Sequence, residues 1–375
     1  MRRLIIFFLA EFIFFCSFGI TVYSEDFVSE IGIDIQEIDE NIPPDASEII
    51  EDNGITAGDT EAISKIGPRE VLSYLISQIR AEMHYPVKLM VTLFSVIIIG
   101  SLIENFGSCI ENRSSAGVYE TVCVLIAVGI ISDPVSSCVK TASNALIEGG
   151  NFMVSYIPVF SGIMASSGCI TSAYAYSAVL LLCTEAAAGI AADYLMPFVS
   201  ICTALGIIES LNSALNLTQI TQFISKAVKF VLGFVMTVFI GILSLQSIIG
   251  ASADTIGVKT AKFLASNCIP VIGSAVADAY STLRASLGIL RGGVGFFGIA
   301  VIFVSVIPPL IKVVLLKIVF CIAETVSGLF GVKGIKTLLS NTSAVLSIII
   351  SLLVCFGIML IISTTVMMMI GLDIS

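Results

Sequence analysis

The chain has 375 residues, of which 57% are hydrophobic and only 12% are charged, and its mean hydropathy is +1.04. The charged fraction is about half of the roughly 25% that is usual in soluble domains, which excludes a water-soluble fold and indicates an all-α, polytopic membrane protein. The formal net charge is -10, and no basic stripe able to displace phosphate counterions occurs along the chain, which excludes nucleic-acid binding.

Residues 1–24 have the pattern of a secretory signal peptide. A basic start at Arg2 and Arg3 precedes an apolar core over residues 4–20, and small residues follow at the spacing of a cleavage site. The alternative is an uncleaved first membrane anchor, because Glu11 interrupts the apolar core. In both cases we expect the segment that follows to be exported.

Residues 25–67 form an acidic segment that we expect to be mostly disordered. This segment carries thirteen Asp or Glu and no Lys or Arg between residues 25 and 64, so the rest of the chain has 15 acidic against 18 basic residues. An amphipathic helix is then predicted over residues 68–85, opened by Pro68 and lying along the membrane surface. Its apolar face consists of Val71, Leu72, Leu75, Ile76, Ile79 and Met83.

The membrane domain is predicted to extend over residues 86–371 and to contain about eight transmembrane helices. The predicted spans are 87–103, 118–132, 170–190, 194–211, 228–250, 293–311, 313–330 and 342–370. Two half-apolar stretches, 151–168 and 264–290, are predicted to be re-entrant or interfacial. With the acidic segment outside, six Lys or Arg then fall on the inside and four on the outside, so the loop 251–291 is predicted to be cytoplasmic and Lys312 external.

Short matching motifs suggest that the domain contains a repeat over residues 139–250 and 258–371. Val-Lys-Thr-Ala at 139–142 recurs at 258–261, and Pro158 to Pro197 and Pro270 to Pro309 are both 39 residues apart. Three crossings in each unit would invert the second copy, as in many transporters. Pro158 and Pro270 would then interrupt helices around a shared cavity.

Four acids, Glu185, Asp193, Glu209 and Glu324, are predicted to lie within or near the membrane. They either line a cavity or lie at helix ends near the headgroups, since a carboxylate in hydrocarbon is costly. Glu209 and Glu324 are the stronger candidates for a cavity, because the repeat relates them.

No sequence motif points to catalysis, a cofactor or a metal. His84 is the only histidine, the ten cysteines form no CxxC pair, and no GxSxG, HExxH or GxxxxGK[ST] motif occurs. We therefore expect a protein that is not an enzyme and that binds no cofactor.

Several motifs resemble one known family. Lys-Thr-Ala-Lys-Phe at 259–263, Ile-Pro-Val-Ile-Gly at 269–273 and Asp278 lie between residues 250 and 302, and residues 156–168 read YIPVFSGIMASSG. With the exported acidic segment and the polytopic domain, these residues resemble the stage III sporulation protein AE family over nearly all of residues 68–371.

The resemblance implies a multi-pass protein of the mother-cell-derived outer forespore membrane in an endospore-forming bacterium. Its expected partners are the other stage III A proteins, a forespore-side protein and membrane lipid. It would be a subunit of a channel-like complex across two membranes, needed for late forespore gene expression. The alternative is a free-standing secondary transporter of a small solute or ion.

Overall fold

The fold is known from a computed structural model that describes residues 42–43, 68–107, 113–190, 193, 196–211, 217–268 and 273–369. These residues form helices and no β-strand, which confirms the all-α prediction for this part of the chain. The helices are α1 (Pro68–Glu82), α2 (His84–Gly107), α3 (Arg113–Ser166), α4 (Ile170–Gly189), α5 (Met196–Leu211), α6 (Thr218–Cys268), α7 (Gly273–Leu329) and α8 (Lys333–Met369).

Two helices end at a glycine in the left-handed conformation. Gly168 has a φ of 85° after α3, and Gly331 has a φ of 82° after α7. The amide of Cys169 donates to the Met164 carbonyl at 3.1 Å, and that of Val332 donates to the Ser327 carbonyl at 3.1 Å. These bonds close two Schellman motifs, which reverse the chain without leaving the last carbonyls unpaired.

Helix α8 lies at the centre of the bundle. It packs against α3, α4, α5, α6 and α7, and 83% of its most apolar stretch is buried. Helix α7 runs antiparallel to it, since Gly295 lies against Met368 at one end and Gly328 against Lys336 at the other. The core of the protein is therefore built around a helix that hydropathy alone would describe as an ordinary membrane span.

Helices α4 and α5 together form one pass that runs antiparallel to α3. Ser172 near the start of α4 lies beside α6, Ala188 near its end faces Gly150 of α3, and Gly206 of α5 faces Asn341 of α8. Between the two helices, Ile190 and Asp193 adopt a π-helical turn. The α-helical geometry of the pass thus gives way to π-helical geometry at these two residues.

The described residues contain six helices that are long and apolar enough to cross a membrane, so the predicted count of eight is not confirmed. The predicted spans 293–311 and 313–330 lie in series in α7, which continues through Pro308 and Pro309. The predicted span 194–211 corresponds to α5, which has 16 residues. A proline removes one backbone hydrogen bond, and neighbouring helices in a packed membrane bundle let the helix continue.

The first of the two stretches predicted to be re-entrant or interfacial belongs to a long helix instead. Residues 151–166 form the end of α3 and contribute to the core, with Tyr156, Ile157 and Phe160 fully buried. The described part of 264–290 is divided between the end of α6 and the start of α7. Within residues 151–166, partial polarity marked packing between helices and not a break in the helix.

Three of the helices are much longer than a membrane is thick. Helices α3, α6 and α7 have 54, 51 and 57 residues. At 1.5 Å per residue each is roughly 80 Å long, against about 30 Å for the hydrocarbon core of a bilayer. Even with a tilt of about 40°, each would still extend well beyond that core.

The N-terminal predictions fall on the described residues only in part. The signal peptide over residues 1–24 lies outside them, as does the acidic segment 25–67 except for residues 42–43. The predicted amphipathic helix corresponds to α1 and the start of α2. Leu72, Ile76 and Met83 form part of an exposed apolar face, as a helix on a membrane surface requires.

The predicted repeat, 139–250 and 258–371, stays a prediction. Its unit boundaries lie within α3 and α6. The pass formed by α4 and α5 in the first unit corresponds in position to the single continuous helix α7 in the second.

Candidate functional site

Glu209 is buried where α5 crosses α8. Its side chain is 6% exposed, and Oε2 accepts a hydrogen bond from the Asn341 side-chain amide at 2.9 Å. The close crossing depends on Gly206, because a Cβ at this position would lie 2.8 Å from the Cβ of Asn341. Close approach through a small residue and a polar contact between helices are typical of membrane bundles.

A second carboxyl group lies against the start of α8. The amide of Gly334 donates to Oε1 of Glu120 on α3 at 3.3 Å. This amide is one of the four that a helix leaves unpaired at its N-terminus, and a carboxylate is favoured there by the helix dipole. Glu120 and Glu209 therefore tie α3 and α5 to the same end of α8.

Glu324 differs from Glu209 in its surroundings. It lies on α7 and is half-buried, and its backbone carbonyl accepts the Ser327 hydroxyl at 3.0 Å. Glu185 and Asp193, the other predicted acids, are exposed. Among the four, Glu209 is the one that the structure places deep in the bundle.

The predicted helix break at Pro158 is not seen. Pro158 lies on the exposed side of α3, which continues without interruption to Ser166. Only the hydrogen bond to the Val154 carbonyl is lost there, and Val154 is itself exposed. Pro270 lies outside the described residues.

The break that the structure does contain near this region lies between α3 and α4. Both carboxylate oxygens of Asp254, on α6, accept backbone hydrogen bonds at the start of α4, from Thr171 at 2.9 Å and Ser172 at 3.1 Å. Asp254 is buried, so it acts as an N-terminal cap supplied by another helix. About one turn further along α4, the Tyr176 hydroxyl donates to the Leu243 carbonyl at 2.7 Å. This bond is a second polar contact between α4 and α6.

Two arginines of α7 reach the same turn. Nε of Arg284 donates to the Ser167 carbonyl at 3.1 Å, and Nη1 of Arg291 lies 3.9 Å from Sγ of Cys169. Arg291 is 2% exposed, and its Nε has no hydrogen-bond partner among the described residues. The sequence placed Arg291 at the end of a cytoplasmic loop, whereas the structure places it inside α7.

In the described part of the chain, no group of three His, Cys, Asp or Glu side chains could hold a metal ion. The polar contacts join helices to one another and complete helix ends. They can hold a bundle in register or provide a protonatable carboxyl group within it.

Comparison with known proteins assigns the family. The family model described as stage III sporulation protein AE matches residues 47–371. The chain belongs to this family. Stage III sporulation protein AE of Bacillus subtilis (strain 168) is 24% identical to it over 304 residues, which cover 81% of this chain and 76% of the relative. No solved structure matches.

Family membership supports a role in sporulation and is consistent with the several apolar helices of a multi-pass membrane protein. The matched residues include all eight helices and every contact described above. The residues that sequence reasoning missed, Glu120, Asp254 and Asn341, share one feature. Each has Ser or Thr beside it in the sequence and belongs to no recognisable motif, so the local pattern did not single it out.

Proposed function

We propose that this member of the stage III sporulation protein AE family is the membrane-embedded subunit of a transenvelope channel between mother cell and forespore. It would lie in the outer forespore membrane and act without catalysing a reaction. Its partners would be the other stage III A proteins and a forespore-side protein. Through this complex it would be needed for late forespore gene expression.

The observation that carries the proposal is the combination of helix length and exposed apolar surface. Helices of roughly 80 Å extend beyond one bilayer at one side or both. Helix α6 exposes large apolar side chains over most of its length, from Phe223 and Phe230 to Ile256 and Phe263. Lipid cannot cover all of them at once, so part of this face requires protein partners.

Site-specific photocrosslinking in sporulating cells tests the proposal. A photoreactive residue at Phe230 or Phe263 on the exposed face of α6 should form crosslinks to other stage III A proteins. A photoreactive residue at Leu243, which is buried against α4, is the matched control and should crosslink within the chain. Adducts with lipid alone at both exposed positions would contradict a partnered subunit.

A forespore reporter gene tests the second half of the proposal. Deletion of the gene should abolish late forespore expression, and the wild-type chain should restore it. Substitution of Phe230 and Phe263 by Ser should lower the reporter while the protein remains at normal abundance in the membrane. Normal expression in a strain lacking the chain would refute the channel role.

One observation favours the alternative of a secondary transporter for a small solute or ion. Glu209 is a buried carboxyl group on α5, and intramembrane acids of this kind form proton relays in transporters. Reconstitution of the purified protein in liposomes distinguishes the two functions. Uptake of a solute that Glu209→Gln abolishes would establish transport, whereas the subunit hypothesis predicts no uptake by the chain alone.

A further inference from the structure

A cleft of about 310 Å³ opens where the start of α2 meets α3 and α7. Its lining includes Glu82, Tyr85, Asp133, Ser137 and Lys312. The volume is at the lower end of the range for sites that bind small molecules. The cleft contains none of the polar contacts described above, and the proposed channel role does not use it.

The charged groups of this cleft do not neutralise one another. Nζ of Lys312 donates to the Thr141 hydroxyl at 3.2 Å, which is a neutral partner. No ion pair within 4.0 Å joins Lys312 to Glu82 or Asp133 among the residues that the structure describes. One ammonium group and two carboxylates therefore line the same space separately, and a ligand that carries both signs of charge could pair with all three.

A bilayer crossed by α2 would place the cleft at the depth of the lipid headgroups. Glu82 ends α1, whose exposed apolar face suits the membrane surface, and His84 begins α2, whose 24 residues are about 36 Å long, enough for one crossing. Along α7, Lys312 and Leu329 are about 26 Å apart at 1.5 Å per residue. The cleft and the α7–α8 turn thus lie roughly one hydrocarbon thickness apart, with Lys333 just beyond the turn.

We propose that this cleft binds a phosphate group linked to a primary ammonium, as in the headgroup of an ethanolamine phospholipid. Lys312 would pair with the phosphate, and Asp133 and Glu82 would accept hydrogen bonds from the ammonium. Tyr85 and Leu316 lie at the same cleft and would contact the glycerol and the first methylene groups. A choline headgroup would bind less well, because its quaternary nitrogen has no N–H to donate.

Lipid selection by the full-length protein in nanodiscs tests the proposal. The discs contain equal amounts of ethanolamine, choline and glycerol phospholipids, and native mass spectrometry measures the lipids that stay bound. Ethanolamine lipid should be enriched about tenfold over each of the others. Asp133→Asn and Lys312→Gln should each lower this enrichment about tenfold, as expected for the loss of a charge-assisted contact.

Two variants outside the cleft provide matched controls. Glu185→Gln on α4 removes an exposed negative charge and matches Asp133→Asn, and Lys259→Gln on α6 removes an exposed positive charge and matches Lys312→Gln. Both controls should leave the enrichment unchanged. The wild-type measurement needs no variant, so it decides the matter even if a cleft variant fails to fold. Equal retention of ethanolamine and choline lipid would overturn the proposal. Equal retention of glycerol lipid would also overturn it, because the carboxylates would then have no role.

A soluble competitor distinguishes the two sources of this chemistry. Glycerophosphoethanolamine carries the same phosphate and ammonium without acyl chains. If millimolar concentrations displace the bound lipid, the headgroup chemistry is supported and the site also accepts a free metabolite. If enrichment persists in its presence, the membrane lipid is supported as the ligand.

Discussion

Helices α6 and α8 are both long and apolar, yet they occupy opposite positions in the bundle. Their most apolar stretches have mean hydropathies of 2.3 and 3.1, but 17% of the first is buried against 83% of the second. Helix α8 buries small polar residues such as Asn341, Ser347 and Thr364. Helix α6 exposes bulky side chains such as Phe230, which is 75% exposed.

The comparison shows what separates a central membrane helix from a peripheral one. Lipid tails are as apolar as leucine, so hydrophobicity does not drive one helix against another inside a bilayer. Small residues that permit close approach and polar groups that bond across helices decide which face turns inward. Small residues also occur on the exposed face of α6, but nothing lies within 4 Å of a Cβ at Gly233, Gly241 or Gly257. The match with a partner helix, and not the residue type alone, therefore separates α8 from α6.

The largest effect is expected from a bulky residue at the crossing of α5 and α8. Gly206→Leu would force Asn341 away and should destabilise the protein by about 3 kcal/mol, because a packed crossing cannot absorb the added volume. Gly233→Leu on α6 is the matched control, since nothing lies within 4 Å of a Cβ at that position. Thermal unfolding in detergent measures both, and equal losses would remove the distinction between the two helices.

The next effect concerns the polar contact at the same crossing. Asn341→Leu removes the amide that donates to Glu209 and should cost about 2 kcal/mol in unfolding free energy, since a buried carboxyl group loses a partner. Glu209→Gln keeps a side-chain oxygen as acceptor and should cost less than about 1 kcal/mol. A larger loss from the glutamine variant would mean that the charge itself stabilises the bundle.

A smaller effect is expected where α6 does make a specific contact. Asp254→Asn keeps one carboxyl-type oxygen and loses the other, so the start of α4 should be weakened by about 1 kcal/mol. Hydrogen exchange at the amides of Thr171 and Ser172 should become several times faster. Ser252→Ala, an exposed change on the same helix, should leave both amides protected. Unchanged exchange in the Asp254 variant would show that the cap is dispensable.

The smallest effect is expected at Pro158. Because α3 continues through this proline on its exposed side, Pro158→Ala should change stability by no more than about 0.5 kcal/mol and leave sporulation normal. Sporulation frequency and membrane abundance measure the two outcomes. Loss of sporulation at normal abundance would restore the hypothesis that this proline shapes a cavity.

Composition and local pattern were sufficient to predict the class of the fold and the family. The all-α architecture follows from apolar segments that must satisfy their backbone groups internally. For Glu209, the sequence allowed either a position inside the bundle or one at a helix end near the headgroups, and the structure shows it buried inside the bundle. These features depend on residues that are close together in the sequence, so they can be predicted from the local pattern of a single sequence.

The number and connection of the spans could not be predicted in the same way. Hydropathy separates 293–311 from 313–330 at Lys312, whereas α7 continues through this position and Lys312 donates to the Thr141 hydroxyl on α3. Likewise, the polar residues of 151–168 suggested a re-entrant segment, but they occupy a helix whose partners are more than a hundred residues away. Tyr156, for example, donates its hydroxyl to the Val294 carbonyl at 3.1 Å. Contacts of this kind between distant segments leave no local pattern.

The continuity of α7 has a mechanical consequence. A helix is stiff along its axis, and this one carries Lys312 at the cleft and both Arg284 and Arg291 at the α3–α4 turn. Lys312 and Arg284 are about 42 Å apart at 1.5 Å per residue. A sliding movement of α7 by one helical turn would therefore displace the cleft and the α3–α4 turn together. A force applied at the cleft would be transmitted along the helix to that turn.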